Sequence, residues 1–191
     1  MWAILITLFS FPFSASNPLR RSVAKIWKAN TDFIDAIILK LSESDEVDAL
    51  TMTQKELDVR KAINHSIDLF ERRQTAKTRL KAQHYDMMME LRKTSSFFGA
   101  SLHGMQEELE ILNSADFEPI KRNVLYKTLS SLAQATARIS IVIFTFRGED
   151  FTMSKIRVKR FEIAIKLFKE ACQELKLSEQ EKRAVSHLIE T

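Results

Sequence analysis

The chain has 191 residues, of which 45% are hydrophobic and 28% charged, a balance that excludes wholesale disorder and suffices for one folded core. It contains 3 Gly and 3 Pro, whereas average usage would give roughly 13 and 10, so a β-rich fold would lack the residues of its tight turns. The net charge of +4 comes from interspersed basic and acidic residues, and the single cysteine, Cys172, excludes an internal disulfide framework.

The first segment, from Trp2 to Phe13, contains no charged residue. It is too short to cross a bilayer alone, because a membrane-spanning helix needs about 20 apolar residues. Three interpretations remain open: the end of a transmembrane helix that begins outside this chain, a secretory signal cleaved at residues 14–16, or a buried core helix. No Lys or Arg precedes the segment, whereas Arg20 and Arg21 follow it, and this asymmetry favours a membrane segment with the rest of the chain in the cytoplasm.

The sequence is therefore divided into an apolar membrane (or signal) segment, residues 1–16, and a soluble helical bundle domain, residues 17–191. A helix over residues 2–13 would be apolar on every side and would have no polar face to show to water. We therefore expect residues 2–13 to contact the lipid bilayer and to lie outside the soluble fold.

Two amphipathic helices are predicted to open the soluble domain. Asn17 suits an N-cap and Pro18 the first helical position, and the helix runs to about Leu41. Its apolar residues recur at steps of three and four: Leu19, Val23, Ile26, Trp27, Phe33, Ile34, Ile37, Ile38 and Leu41. After an acidic, turn-like stretch (42–48), the capping-box pattern Thr53-x-x-Glu56 predicts the start of the second helix. The predicted buried stripe of this second helix is Leu57, Ile63, Ile67 and Phe70.

The third helix has the clearest period in the chain. The polar residues 71–78 before it are compatible with a loop or with a continuing helix. From residue 80 onward the helical spacing includes Leu80, His84, Met87, Met88, Leu91, Phe98, Leu102, Met105, Leu109 and Leu112. Gly99 and Gly104 lie inside this pattern and cost about 1 kcal/mol each relative to Ala, which indicates a close helix contact or a local bend.

A connector, residues 113–119, leads to the fourth helix, with Pro119 acceptable in its first turn. The apolar stripe of this helix is Ile120, Val124, Leu125, Leu129, Leu132, Thr136 and Ile139. Residues 139–146 alternate and are β-branched, so a short strand is an alternative, but no second strand-like run exists to pair with them and we predict helix. Gly148 is expected to end it.

Two further helices complete the expected fold. The fifth spans residues 154–175 and places on its apolar face Ile156, Phe161, Ala164, Ile165, Phe168, Cys172 and Leu175. The pattern Ser178-x-x-Glu181 caps a short last helix that carries Val185, Leu188 and Ile189. The predicted fold class is all-α: a bundle of at least four long antiparallel amphipathic helices that follows the end of a transmembrane helix.

Candidate metal ligands and nucleophiles are few. His103 and Glu107 share a helix face, but the chain contains neither Glu-x-x-His nor His-Glu-x-x-His, so His103 is interpreted as a polar surface residue and no metal site is predicted. Cys172 falls on an apolar face, as a small buried hydrophobe would, and Met87 and Met88 are interpreted as core, with Met89 partly exposed. Nucleotide-binding and hydrolase motifs are absent. We therefore predict no catalytic or cofactor-binding residue, no cofactor and no enzyme activity.

The basic residues form four clusters, at residues 20–21, 72–73, 77–81 and 155–160. A nucleic-acid-binding protein usually combines such charges with a recognisable module or with stacking aromatic residues. Ile156 and Val158, which alternate with the charges of the last cluster, offer no stacking platform. We expect no nucleic-acid partner, and anionic lipid headgroups or solvent account for the charges equally well.

Three features follow one another along the chain: an apolar run that ends in Phe11-Pro12-Phe13, then Asn17-Pro18-Leu19-Arg20-Arg21, then a series of long amphipathic helices. This order resembles the fusaric acid resistance (FUSC, YccS-like) family of bacterial inner-membrane proteins. In that family a membrane bundle is followed by a cytoplasmic helical domain. The resemblance covers residues 2 to about 175 and implies the soluble cytoplasmic domain of a membrane exporter used in efflux, although this chain lacks a complete membrane bundle.

From this resemblance we expect a role in assembly, gating or partner binding, with a protein partner or a second copy contacting the helix faces. The implied location is the bacterial inner membrane, with the soluble domain in the cytoplasm. The alternative is a secreted or periplasmic helical adaptor preceded by a signal peptide.

Overall fold

The computed structural model describes the backbone of residues 2–41, 49–72, 82–111, 118–145 and 151–189, and the side chains of residues 18–41, 50–72, 86–109, 118–144 and 159–188. These residues form a helical bundle without a strand, so the all-α prediction is confirmed. The helices are α1 (Trp2–Leu41), α2 (Ala49–Arg72), α3 (Ala82–Ile111), α4 (Pro119–Thr145), α5 (Phe151–Glu174) and α6 (Glu179–Ile189). The choice of helix over strand is confirmed for residues 139–145, and Pro119 opens α4 as expected.

Helix α1 lies at the centre of the bundle. It packs against α2, α3 and α4, while α5 packs on α4 and α6 contacts α3 and α5. All nine apolar residues predicted as its stripe are buried, from Leu19 to Leu41. A helix enclosed by three neighbours needs an apolar surface wider than one stripe, and Ala24 and Ala36 supply the additional buried positions.

Aromatic rings join three helices at the middle of the core. Phe161 of α5 meets Trp27 of α1 edge to face, with the ring centroids 5.1 Å apart and the planes at 86°. The same Phe161 ring meets Phe98 of α3 at 5.1 Å and 87°. Such edge-to-face pairs contribute about 1 kcal/mol each beyond the burial of apolar area. Phe161 therefore links α5 to two helices at once.

Two predicted helix starts are wrong. Asn17 and Pro18 do not begin α1; they lie inside a single helix of 40 residues that starts at Trp2. A proline removes one backbone hydrogen bond, and the helical turns on both sides of Pro18 supply the others, so the helix continues through it. The boundary predicted between residues 16 and 17 consequently falls within a continuous helix.

The second wrong start is the capping box at Thr53, because α2 begins at Ala49. Met52 is buried in the core, so the turn before Thr53 has its own apolar anchor. Glu56 pairs with Arg60 one turn further along α2, with Arg60 Nη2 2.6 Å from Glu56 Oε1. The stripe also differs from the prediction, since Leu57 is 42% exposed and Val59 is buried.

The other predicted elements agree with the structure to within a few residues. Ile120 is an exception in α4: it is 75% exposed, because the buried stripe of that helix begins one turn later at Leu125. Helix α5 starts three residues before the predicted Ser154. Some predictions fall outside the described residues. They concern the polar residues after Arg72 and the stop at Gly148. They also concern the side chains of five predicted stripe residues: Leu80, His84, Leu112, Ile156 and Ile189.

The glycines of α3 mark close helix contacts, as the sequence indicated. A Cβ atom placed on Gly99 would lie 2.9 Å from Asn30 Oδ1 of α1 and 2.9 Å from Val59 Cγ1 of α2. A Cβ on Gly104 would meet the ring of His187 in α6. At Gly99, α3 therefore approaches both of its neighbours more closely than a methyl group allows.

The capping box at the start of α6 is confirmed. Ser178 N–H donates to Glu181 Oε2 at 2.5 Å, and Glu181 N–H donates to Ser178 Oγ at 3.3 Å. Lys121 of α4 adds an ion pair to the same Glu181 oxygen at 3.2 Å. Desolvation by burial by itself raises the pKa of Glu181, but the hydrogen bonds from Ser178 and Lys121 outweigh it and hold the pKa below its ordinary value.

We predict that Gly99→Ala destabilises the protein by about 2 kcal/mol, because overpacking against Asn30 and Val59 exceeds the gain of about 1 kcal/mol in helix propensity. Urea unfolding of the two proteins measures the difference. Ala100→Gly, at the exposed neighbouring position, is the matched control and should cost about 1 kcal/mol. A Gly99→Ala variant as stable as the wild type would contradict the close contact.

We also predict that Glu181→Gln lowers stability by about 2 kcal/mol at pH 7, because the charge-assisted bonds to Ser178 and Lys121 are lost. The folded pKa of Glu181 is depressed, so its contribution is present above the ordinary value of 4.5 and is lost as the pH falls through the folded pKa. Unfolding curves at pH 7 and pH 3 should therefore show a gap that narrows on acidification. A gap that is constant with pH would exclude the depressed pKa.

Candidate functional site

A set of polar side chains ties α1 to each helix that packs against it. Ser22 Oγ lies 3.3 Å from Ser66 Oγ of α2. Asn30, which is completely buried, donates from Nδ2 to the Ser95 carbonyl oxygen of α3 at 2.8 Å. Two contacts then join α1 to α4: the Thr31 and Thr136 hydroxyl groups are 2.9 Å apart, and Ser140 Oγ donates to the Ala24 carbonyl oxygen at 2.9 Å.

These contacts fix the axial position of α1. Each one adds about 1 kcal/mol when made, and the buried Asn30 Nδ2 would cost about 1–3 kcal/mol if it lost its partner. The Ser22 and Thr31 hydroxyl groups also donate to the Leu19 and Trp27 carbonyl oxygens of α1, at 2.7 and 2.9 Å, and would keep those bonds. Sliding or rotating α1 by one residue would break the contacts to α2, α3 and α4 together. The apolar core alone would tolerate such a shift better, since hydrophobic contacts have no direction.

A second polar group lies between α2 and α3 around His103. Its Nε2 atom is 3.4 Å from Glu107 Oε1 and 3.1 Å from Arg60 Nη2, and its Nδ1 atom is 3.5 Å from Glu56 Oε2. The sequence predicted a polar surface residue, and the structure gives the His103 side chain 27% exposure and partners from two helices. Among the described residues, no three His, Cys, Asp or Glu side chains are arranged to hold a metal ion. The absence of a metal or cofactor remains a prediction.

Cys172 and the methionine run belong to the core. Cys172 is buried on α5, and desolvation raises the pKa of its thiol to about 12. A thiol that stays protonated is a poor nucleophile, which agrees with its interpretation as a small hydrophobe. Met88 is buried, and Met87 and Met89 are partly buried against the same core. The predicted absence of catalytic residues is not tested by these positions and stays a prediction.

A cleft of about 660 Å³ opens between α1, α2 and α4. Besides Ser22, the residues around it are Pro18, Arg21, Lys25, His65, Leu69 and Phe144. Arg21 belongs to a basic cluster that the sequence singled out, but Lys25, His65 and Phe144 were missed. The sequence carries no signal for this grouping, because residues 21, 65 and 144 come together through helix packing alone.

The described residues of the other basic clusters have exposed side chains. Arg72 is exposed at the end of α2, and Lys159 and Arg160 are exposed on α5. Residues 73 and 77–81 and the side chains of 155–158 lie outside the described residues. From the cluster at residues 20–21, Arg21 lines the cleft described above.

Over the residues that the structure describes, no helix is long and apolar enough to cross a membrane. The chain matches no model of a known protein family, and comparisons with curated proteins and with solved structures find no match either. The resemblance to the fusaric acid resistance family thus gains no support from these comparisons, and any function has to be argued from the fold and its surfaces.

We predict that Cys172 reacts with a thiol reagent about a thousandfold more slowly in the folded protein at pH 8 than in the unfolded chain. A pKa of about 12 leaves little thiolate at that pH, and burial limits access to the sulfur atom. The absorbance of the aromatic thiol that a disulfide reagent releases gives the labelling rates of the folded and the unfolded chain. The chain unfolded in urea is the control. Rapid native labelling would place Cys172 at an accessible site.

Proposed function

We propose that this chain is the helical domain of a membrane exporter of the fusaric acid resistance type, and that it acts in assembly, gating or partner binding rather than in bond chemistry. The observation that carries the proposal is the continuity of α1. One helix, Trp2–Leu41, joins the uncharged segment of residues 2–13 to the centre of the bundle.

The dimensions of α1 suit a helix that enters lipid at one end. At 1.5 Å per residue the whole helix is about 60 Å long, and residues 2–13 account for about 18 Å of it. That length is more than half of the roughly 30 Å hydrocarbon core of a bilayer. We propose that residues 2–13 are the end of a transmembrane helix and that Arg20 and Arg21 hold the bundle on the cytoplasmic side.

The polar contacts of α1 support a role in transmitting movement. Because Ser22, Asn30 and Thr31 hold α1 in one position against α2, α3 and α4, a displacement of its apolar end moves the bundle as a body. A helix held by apolar contacts alone would slide more readily. This rigidity suits gating or assembly, in which a change in the membrane has to reach a domain outside it.

The bundle is proposed to be antiparallel. Along α1 the partners in α4 run backwards, with Ala24 beside Ser140 and Thr31 beside Thr136. The partners in α2 run backwards as well. Lys28 and Asp32 of α1 share a groove with Lys55 and Asp58 of α2, whereas the earlier Ser22 contacts the later Ser66. Both series suit neighbours of opposite direction, as short connectors favour.

Exposed apolar side chains support contact with a partner or a second copy. Ile163 and Leu167 lie one turn apart on α5 and are 48% and 52% exposed. Single exposed apolar residues are ordinary on a soluble surface, but adjacent ones on a helix face suit a protein contact.

We predict that removing residues 1–16 leaves the bundle folded and abolishes membrane binding. The truncated protein should keep the helicity of its remaining residues and melt within a few degrees of the full chain, because it retains every buried side chain that the structure describes, from Leu19 onward. Co-sedimentation with neutral phosphatidylcholine vesicles should be seen for the full chain and not for the truncated one. The matched control is the full chain with Leu5, Leu8 and Phe9 each changed to Asn, which should fold but not sediment.

Three outcomes would contradict the proposal. Unfolding of the truncated protein would make residues 2–13 part of the core. A full chain that ignores vesicles would remove the membrane placement. Cleavage at residues 14–16 on export from a bacterial cell, read by mass spectrometry, would favour the secreted or periplasmic adaptor with a signal peptide.

A further inference from the structure

Basic side chains line the cleft between α1, α2 and α4. Arg21 and Lys25 are exposed and one helical turn apart on α1. Among the described residues, neither has an ion-pair partner and no Asp or Glu lines the cleft. His65 of α2 adds ring nitrogen atoms to the same opening.

The neighbouring groove on α1 shows that this imbalance is local. That groove, of about 250 Å³, is also lined by Lys25 but contains Lys28, Asp32, Lys55 and Asp58. Lys28 is paired there with Asp32 at 2.8 Å. An anion would meet compensating carboxylates in this groove, whereas the described residues that line the cleft beside Arg21 include basic side chains and no carboxylate.

The opposite wall of the cleft is apolar. Phe144 from the end of α4 is 57% exposed, and Leu69 of α2 and Pro18 of α1 are partly buried beside it. A small inorganic anion would leave these side chains in water. An amphiphile with a charged head and an apolar body would cover both walls at once.

The position of the cleft along α1 matches the surface of a bilayer. Arg21 is eight residues after Phe13, which places it about 12 Å beyond the apolar segment. Basic side chains next to a membrane segment are attracted to anionic lipids by about 1 kcal/mol each. With residues 2–13 in the hydrocarbon, the cleft therefore lies at the level of the headgroups.

We infer that this cleft binds the phosphate headgroup of an anionic phospholipid. Arg21 and Lys25 donate to the phosphate oxygens, and Phe144 and Leu69 cover the glycerol and the first acyl carbons. The inference rests on the membrane placement proposed above, and it adds a site through which the lipid composition of the membrane reaches the contacts of α1 with α2 and α4.

The test is the affinity of the full chain for vesicles with and without phosphatidylglycerol. The double variant Arg21→Gln and Lys25→Gln should bind anionic vesicles about 30-fold more weakly than the wild type, with neutral vesicles bound equally well. Phe144→Ala should weaken anionic binding severalfold without changing net charge. Each variant should melt like the wild type, because the three side chains are exposed.

The matched control is Lys176→Gln with Arg183→Gln, which removes two exposed charges at the far end of α4. That end is about 35 Å away, well beyond the screening length of about 8–10 Å, so the control should change anionic binding by less than about threefold. Equal losses of affinity in the two double variants would contradict a site in the cleft and indicate a diffuse electrostatic attraction of the whole surface. Release of the wild type by millimolar inorganic phosphate at constant ionic strength would make it a site for free phosphate.

These outcomes distinguish a failure of the cleft inference from a failure of the proposed function. A wild-type chain that ignores neutral vesicles contradicts the membrane placement, and the two double variants on anionic vesicles still test the cleft. A wild-type chain that binds neutral vesicles but gains nothing from phosphatidylglycerol overturns the cleft alone.

Discussion

The burial of α1 on three sides is the constraint on which the rest of the bundle depends. A helix enclosed in this way has to be apolar over most of its surface, and a buried polar atom on it is stabilised by a partner in a neighbouring helix. Ser22, Asn30 and Thr31 each contact a different helix, whereas Trp27 Nε1 and Asn30 Oδ1 are buried without a hydrogen-bond partner in the part of the chain that the structure describes. Gly99 leaves room for the Asn30 amide group, since a Cβ there would lie 2.9 Å from Asn30 Oδ1.

The sequence predicted what depends on periodicity. All nine predicted stripe residues of α1 are buried, because a helix that packs over most of its length keeps the 3.6-residue period, whereas the buried Ala24 and Ala36 were not predicted. The cap of α6 was found because Ser178 and Glu181 bond to each other's backbone and need no tertiary context. The same pattern failed at Thr53, where burial of Met52 extends α2 beyond the local signal. Leu57 and Ile120 were misassigned because exposure depends on which neighbour covers a turn.

The polar sites were hardly predictable. His103 and Glu107 share a helix, and their spacing was visible, but Glu56 and Arg60 contact His103 from α2, and no local pattern encodes that contact. The cleft at Arg21 is a stronger case, because its residues come from three helices. The charge asymmetry around residues 2–13 was visible in the sequence, because it depends on the order of residues along the chain and not on packing.

The continuity of α1 and its fixed register against its neighbours determine how movement of one end affects the other. A break at Asn17 and Pro18 would have allowed the apolar segment and the bundle to move independently, as two bodies joined by a hinge. In a continuous helix, rotation of one end rotates the other, and the hydrogen bonds to α2, α3 and α4 oppose slippage between them. Arg21 and Lys25 stand between the two regions, where the charge of a bound headgroup would act directly on the helix that joins them. In the proposed membrane placement, the part of α1 nearest the apolar segment is therefore the place where membrane composition would act most directly on the position of the bundle.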